Sequence, residues 1–106
     1  MAKTVYKVTF LNHGKVYELY AGHAGTSGLW GFVEVGKLMF DVRDGLVVDP
    51  TEERLRDEFG ATRTLHLPMQ SILRIEEVES KGKSAIRDAA TGESVVTPFP
   101  MPAKPR

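Results

Sequence analysis

From the N-terminus, apolar and polar positions first alternate with the period of a strand. In "VYKVTFL" and "VYELYA", on either side of "NHGK", β-branched and aromatic residues recur at every second place, and the Asn/Gly turn between them marks a hairpin. With His13 and Gly14 at its tip, Phe10 opposes Tyr17, Val8 opposes Leu19 and Tyr6 opposes Ala21, which makes one face wholly apolar. The other face pairs Lys7 with Tyr20, Thr9 with Glu18 and Leu11 with Val16, a mixed surface that can meet water.

The glycine-rich "GHAGTSG" has no periodicity and reads as a loop. "LWGFVEV" and "KLMFDV" then read as two strands about a turn at Gly36, and "RDG" leads into a short strand, "LVV". The pattern changes at "DPTEERLRDEFG". Asp49 is placed to N-cap a helix, Pro50 suits its first position, Glu52 stands at the capping-box position and Gly60 supplies the stop. Only Leu55 and Phe59, four residues apart, are strongly apolar, so this helix over about 50–59 rests on one edge of the fold. Its carboxylates, Glu52 among them, alternate with Arg54 and Arg56 and read as a solvated, self-paired face.

Alternation returns in "TRTLHL" and "ILRIEEV", with Pro68 between them. A proline cannot donate to a ladder, so "PMQS" reads as one 3₁₀ turn that ends a strand at Leu67 and starts the last one at Ile72, with Leu73 and Ile75 on one face and Arg74 and Glu76 on the other. From residue 80 the pattern decays, with only a marginal edge contact expected from Ala85 and Ile86. The last residues carry Pro98, Pro100, Pro102 and Pro105 and read as a flexible tail, leaving residues 1–79 as a single β-rich domain and 80–106 as its C-terminal extension. The fold expected is mainly β (α+β): an antiparallel small barrel or strongly bent sheet of about 5–7 strands, with one short helix and a 3₁₀ turn before the last strand.

Composition adds exclusions. The 106 residues suffice for one modest core. Fourteen basic residues balance fourteen acidic ones, so no global field draws the chain to nucleic acid or an anionic membrane. The absence of cysteine removes disulfides, thiolate metal sites and thiol nucleophiles. No apolar leader and no stretch of about 18 apolar residues is present, which reads as a cytoplasmic protein without a membrane contact.

Candidate chemistry is sparse. His13, His23 and His66 share no metal-ligand spacing. "GKS" at 82–84 ends like a phosphate loop, but Glu77 stands where that loop needs its first glycine. No catalytic residue, metal site or cofactor is assigned. Six of the nine aromatic residues fall within the first 32, and Lys7 opposite Tyr20 sets a cation beside a ring, as in small barrels that stack single-stranded nucleic acid. Lys7, Tyr20, Trp30 and Arg74 are therefore the candidate binding residues.

Taken together, "YKVTFLNHGKVYELYA", "GFVEV", "VVDPTEERLRDEF" and "LHLPMQSILRIEEV" resemble, over roughly residues 4–79, the small bacterial proteins grouped as domain of unknown function 1820. The resemblance implies no activity and no catalytic residues. A meander with a 3₁₀ turn before its final strand is also similar to the SH3-like and Sm-like small barrels, from which the mid-chain helix departs. The function expected is a non-catalytic interaction or regulatory module that binds another protein. The alternatives are an Sm-like binder of RNA or single-stranded nucleic acid, and a small-ligand binder or enzyme whose site is scattered along the chain. Exposed sheet edges make a homodimer a further expectation.

Overall fold

The computed structural model describes residues 4–40, 42–43, 46–47 and 49–94. Its elements in chain order are strands β1 (Val5–Asn12), β2 (Lys15–Thr26), β3 (Phe32–Met39), β4 (Val42–Arg43) and β5 (Leu46–Val47), helix α1 (Pro50–Phe59), β6 (Thr64–Pro68), a 3₁₀ turn (Met69–Ser71), β7 (Ile72–Val78) and β8 (Ala85–Asp88).

The first hairpin has the register the alternation predicts, from Tyr6 opposite Ala21 to Phe10 opposite Tyr17. Positive φ at both His13 (53°) and Gly14 (74°) gives the tip the mirror-image turn whose twist suits a hairpin. Around it a six-stranded antiparallel sheet forms in the order β6-β3-β2-β1-β7, and β8 joins β2. Strand β2 is long enough to serve two neighbours on one side, β8 along Lys15–Glu18 and β3 along Tyr20–Thr26. β4 and β5 make a separate two-stranded ladder.

The chain passes from β6 to β7, the two ends of the sheet path, through the three residues Met69–Ser71. A 3₁₀ turn of that length advances only about 6 Å. The sheet must therefore bend strongly enough to bring its ends close, yet no ladder joins β6 to β7 among the described residues, so a bent sheet and not a closed barrel is what forms. Pro68 ends β6 opposite Phe32 on an edge strand, where its missing N–H costs no ladder bond, and Ser71 Oγ donates to the Pro68 carbonyl at 2.8 Å to tighten the turn.

The concave face holds Val8, Phe10, Tyr17, Leu19, Ala21, Val35 and Leu67, and α1 lays Leu55 and Phe59 onto it. Phe10 stacks on Tyr17 with centroids 5.3 Å apart, and Tyr17 meets Phe59 edge to face at 6.2 Å. Burial, and then the Glu58 carboxylate that accepts the Tyr17 hydroxyl at 3.3 Å, push that phenol above its ordinary pKa.

Several local expectations change. Gly36 is not a turn: β3 runs through it as one strand, and the backbone irregularity sits at Lys37, whose φ is +54°. Asp49 caps α1 as read, accepting from the N–H groups of Thr51 and Glu52. Gly60, in contrast, is right-handed (φ −61°), and glycine is needed there because a Cβ would come within 2.4 Å of the Arg56 carbonyl oxygen. Glu52 is not on a solvated face. It is 1 % exposed, accepts a hydrogen bond from Lys81 Nζ at 2.6 Å and another from the Ser84 N–H at 3.1 Å, and so ties α1 to the segment before β8.

That segment was expected to belong to the tail. Residues 85–88 instead form β8 beside β2, and Ile86 is part of the core. The proline-rich residues 95–106 lie outside the described residues. A β-bulge also alters β7. Phe10 opposes Ile72 while Thr9 opposes Arg74, so Leu73 is the extra residue and Ile72, not Leu73, takes the inward place.

Candidate interaction site

Alternation along β7 resumes after the bulge, and Ile75 lies opposite Val8 on the face that lines the concave side. On the far side of the bend, Val33 opposes the buried Leu67. These two faces approach each other without a ladder between them. The result is an apolar cleft of about 250 Å³, lined by Ala24, Gly25, Thr26, Phe32, Val33, Met69 and Ile75.

Beside the cleft the β2–β3 loop is pinned at both ends. Ser27 Oγ and His66 Nδ1 share a hydrogen bond of 2.7 Å, the Leu29 N–H donates to Ser27 Oγ at 2.9 Å, and the Met69 N–H donates to the Gly31 carbonyl at 2.9 Å. Gly31, at φ +79°, makes the return that this last bond needs. What the pinned loop presents is Leu29 and Trp30, and Trp30 is 97 % exposed. Met69, Leu73 and Ile75 are exposed as well, so large apolar side chains gather at one end of the molecule. Together they exceed the scattered single residues that a soluble surface ordinarily shows.

The other candidate residues have different surroundings. Lys7 does lie opposite Tyr20, but its ammonium is 3.3 Å from Glu18. Tyr20 is 7 % exposed, and it is Lys81, not Lys7, whose ammonium stands over its ring at 5.5 Å. Arg74 pairs with Glu76 at 3.0 Å. The structure thus places Lys7 and Arg74 on one outer face, each engaged by a carboxylate, and Trp30 apart from them on the loop.

Glu18 is the electrostatic centre of that outer face. Burial alone would raise its pKa, but hydrogen bonds from Arg87 (3.0 Å) and Lys7, with their charges, outweigh it and hold the carboxyl below its ordinary value. A carboxylate depressed in the folded state contributes stability that is present above its unfolded pKa and is lost as pH falls through the folded one. The expected result is a decline in melting temperature below about pH 4.5, shallower in a Glu18→Gln variant than in the wild type. Equal slopes in the two proteins would contradict the assignment.

Near the loop, two histidines and a carboxylate come together that spacing could not connect. Glu34 lies opposite His66 across β3 and β6, and Glu34 also pairs with His23 at 2.9 Å. Ser27 is buried and its oxygen already receives an amide, so the Ser27–His66 bond holds the loop to β6. Among the described residues no group of three His, Asp or Glu is arranged to hold a metal ion, and no helix is long and apolar enough to cross a membrane.

The cleft residues were missed because Phe32, Val33 and Ile75 each look like ordinary core in a strand pattern. Only Met69, in a turn between two strands, carried a sequence signal of exposure.

No curated protein matches the chain, and no solved structure does. The model of one family does match, described as a domain of unknown function, over residues 4–101, which takes in β8 and the C-terminal prolines Pro98 and Pro100 as well as the blocks that carried the resemblance. With nearly the whole chain matched, from the first strand of the bent sheet to Met101, this protein belongs to the domain of unknown function 1820 family.

Proposed function

We propose that the domain is a non-catalytic interaction module whose cleft takes an extended apolar segment of a partner protein. The observation that carries this is the gathering of Leu29, Trp30, Met69 and Ile75 around an apolar cleft at one end of the sheet. A volume of about 250 Å³ lies under the range of typical small-ligand sites, roughly 300–1,000 Å³, and suits one or two anchoring side chains. A tryptophan carried on a pinned loop beside such a pocket is the kind of residue on which interface energy concentrates. The alternative, an Sm-like nucleic-acid binder, draws less support. Its cations Lys7 and Arg74 are engaged by Glu18 and Glu76, and the Tyr20 ring is covered.

Trp30 is the sole tryptophan, and the loop that carries it is bonded to Met69 of the cleft through the Gly31 carbonyl, so its emission reports on a partner seated beside the cleft. Peptides selected on the wild-type domain from a displayed random library should be rich in large apolar residues and should shift Trp30 emission to the blue. A Met69→Asp variant should bind them at least tenfold more weakly, about 1.4 kcal/mol. A library that yields no binder, or binders indifferent to Met69→Asp, would refute the proposal. Salt-dependent binding of a single-stranded oligonucleotide would instead favour the alternative.

A further inference from the structure

The two ends of the sheet are not equally protected against pairing. β6 is five residues long and ends in Pro68. β7 is seven residues long, contains no proline or lysine, and carries its one bulge at its start, where Leu73 stands opposite the Thr9–Phe10 step. Natural sheet edges are usually blunted by short length, proline, charged side chains or a bulge; β7 from Arg74 onward has no proline and no bulge, and its charges, Arg74, Glu76 and Glu77, are of both signs, so they repel a partner strand in some registers and match it in others. Its only partner among the described residues is β1, so among them one row of its backbone donors and acceptors has no ladder partner. Leu73 is 58 % and Ile75 39 % exposed beside that row.

The charges along the strand decide which partner fits. If a second copy of β7 is laid antiparallel along the open edge so that the two sheets continue as one, residues that meet must share a face, and the two-fold axis passes through a residue. Through Arg74, Glu76 or Glu77 the axis would set like charges against each other, and through Val78 it would set Glu77 against Glu79. Through Leu73 the ladder would start inside the bulge. Through Ile75 alone, Arg74 meets Glu76 of the second copy, Glu76 meets Arg74 of the second copy, and Ile75 packs on its own counterpart. Arg74 and Glu76 already lie on one outer face, 3.0 Å apart, so the two pairs would merge into one four-charge cluster. We infer that the chain forms a two-fold dimer by antiparallel pairing of β7 with β7, centred on Ile75. This goes beyond the cleft proposal; the two share Ile75, which lines the cleft, and are told apart through Met69 and Trp30, which take no part in the β7 ladder.

Sedimentation over a concentration series tests it. The wild type should show a monomer–dimer equilibrium. Arg74→Glu and Glu76→Arg should each weaken the dimer by roughly tenfold or more, since two attractive cross-strand pairs become two repulsive ones, and the double variant should restore it. Both residues are on the surface, and thermal melts of each variant verify that the fold is kept. With no cysteine in the chain, Ile75→Cys provides a direct probe of the axis: under mild oxidation it should form a covalent dimer, and Glu77→Cys should not. Trp30→Ala should leave the dimer intact. A wild type that stays monomeric at every concentration would overturn the inference. So would a dimer indifferent to both charge reversals, or one that cross-links as readily through residue 77 as through residue 75.

Discussion

Phe10→Ala should destabilise the domain by about 3–5 kcal/mol, among the largest effects open to a single substitution here. Phe10 is one of the largest fully buried side chains and belongs to the core cluster of the concave face: it stacks on Tyr17 at 5.3 Å, and Tyr17 in turn meets Phe59 of α1 at 6.2 Å. Removing the ring loses its transfer free energy and leaves a void that a sheet held on both sides cannot collapse, because Phe10 is laddered to Tyr17 in β2 and to Ile72 in β7. It also removes the ring that orients Tyr17, so part of the docking of α1 is lost with it. Urea unfolding should show a lowered midpoint with an unchanged slope, and melting should fall by roughly 12 °C or more. Phe10→Leu, which fills most of the space, should cost less than half as much. A Phe10→Ala protein within about 1 kcal/mol of wild type would mean that the rings are not the centre of the core.

The role of Phe10 was legible in the sequence, and so were the first hairpin, the helix start and the strand end at Pro68, whereas "GHAGTSG", which reads as a loop, continues β2 as far as Thr26. Period-two alternation about an Asn/Gly-bearing turn has one consistent register, and β1 and β2 adopt it. Asp49 followed by Pro50 is a helix start whose capping bonds are made by immediate neighbours. Pro68 could only be a strand end, because its ring removes the donor that a continuing ladder would use.

The features that escaped are those set by distant chain. Gly36 looked like a turn, but β3 is held straight across it by partners on both sides, Gly36 pairing with His23 of β2 and Thr64 of β6. β8 looked like tail because four residues, Ala85–Asp88, are too few to carry a period, and only the free stretch of β2 beside Lys15–Glu18 gives them a place. The candidate site was legible in one residue, Trp30, though as part of a strand "LWGFVEV"; that strand starts only at Phe32, which leaves Trp30 on the loop. Its cleft was not, because a bend that brings β7 opposite β3 without pairing them depends on the length of the turn between β6 and β7 and not on any side chain in the cleft. Lys7 and Tyr20 were correctly placed opposite each other, but register does not reveal which carboxylate a lysine reaches, and Glu18 lies diagonally beside it.

Glu52 was the least legible residue of all, and its replacement has the second of the two largest expected effects. In sequence it is one acid among several on an exposed-looking helix; in the structure its carboxylate is enclosed, held by Lys81 at 2.6 Å and by the Ser84 amide at 3.1 Å. Glu52→Ala would leave a largely buried ammonium without its carboxylate and an enclosed N–H without its acceptor. Breaking a buried pair by removing one partner costs about 3–5 kcal/mol, and the low end applies because the Lys81 side chain is still 20 % exposed and can regain some water. Glu52→Gln keeps an oxygen for the Ser84 amide and loses only the charge, so it should cost roughly half as much. Glu53→Ala, one residue along on the exposed face, should change stability by no more than about 0.5 kcal/mol. The location of the damage separates this account from a general weakening of α1. Lys81 and Ser84 lead directly into β8, so in Glu52→Gln the β8 amides should exchange with solvent faster before those of β1 or β2 do. Uniform acceleration across the sheet would show that Glu52 stabilises the fold as a whole and does not specifically fasten the last strand.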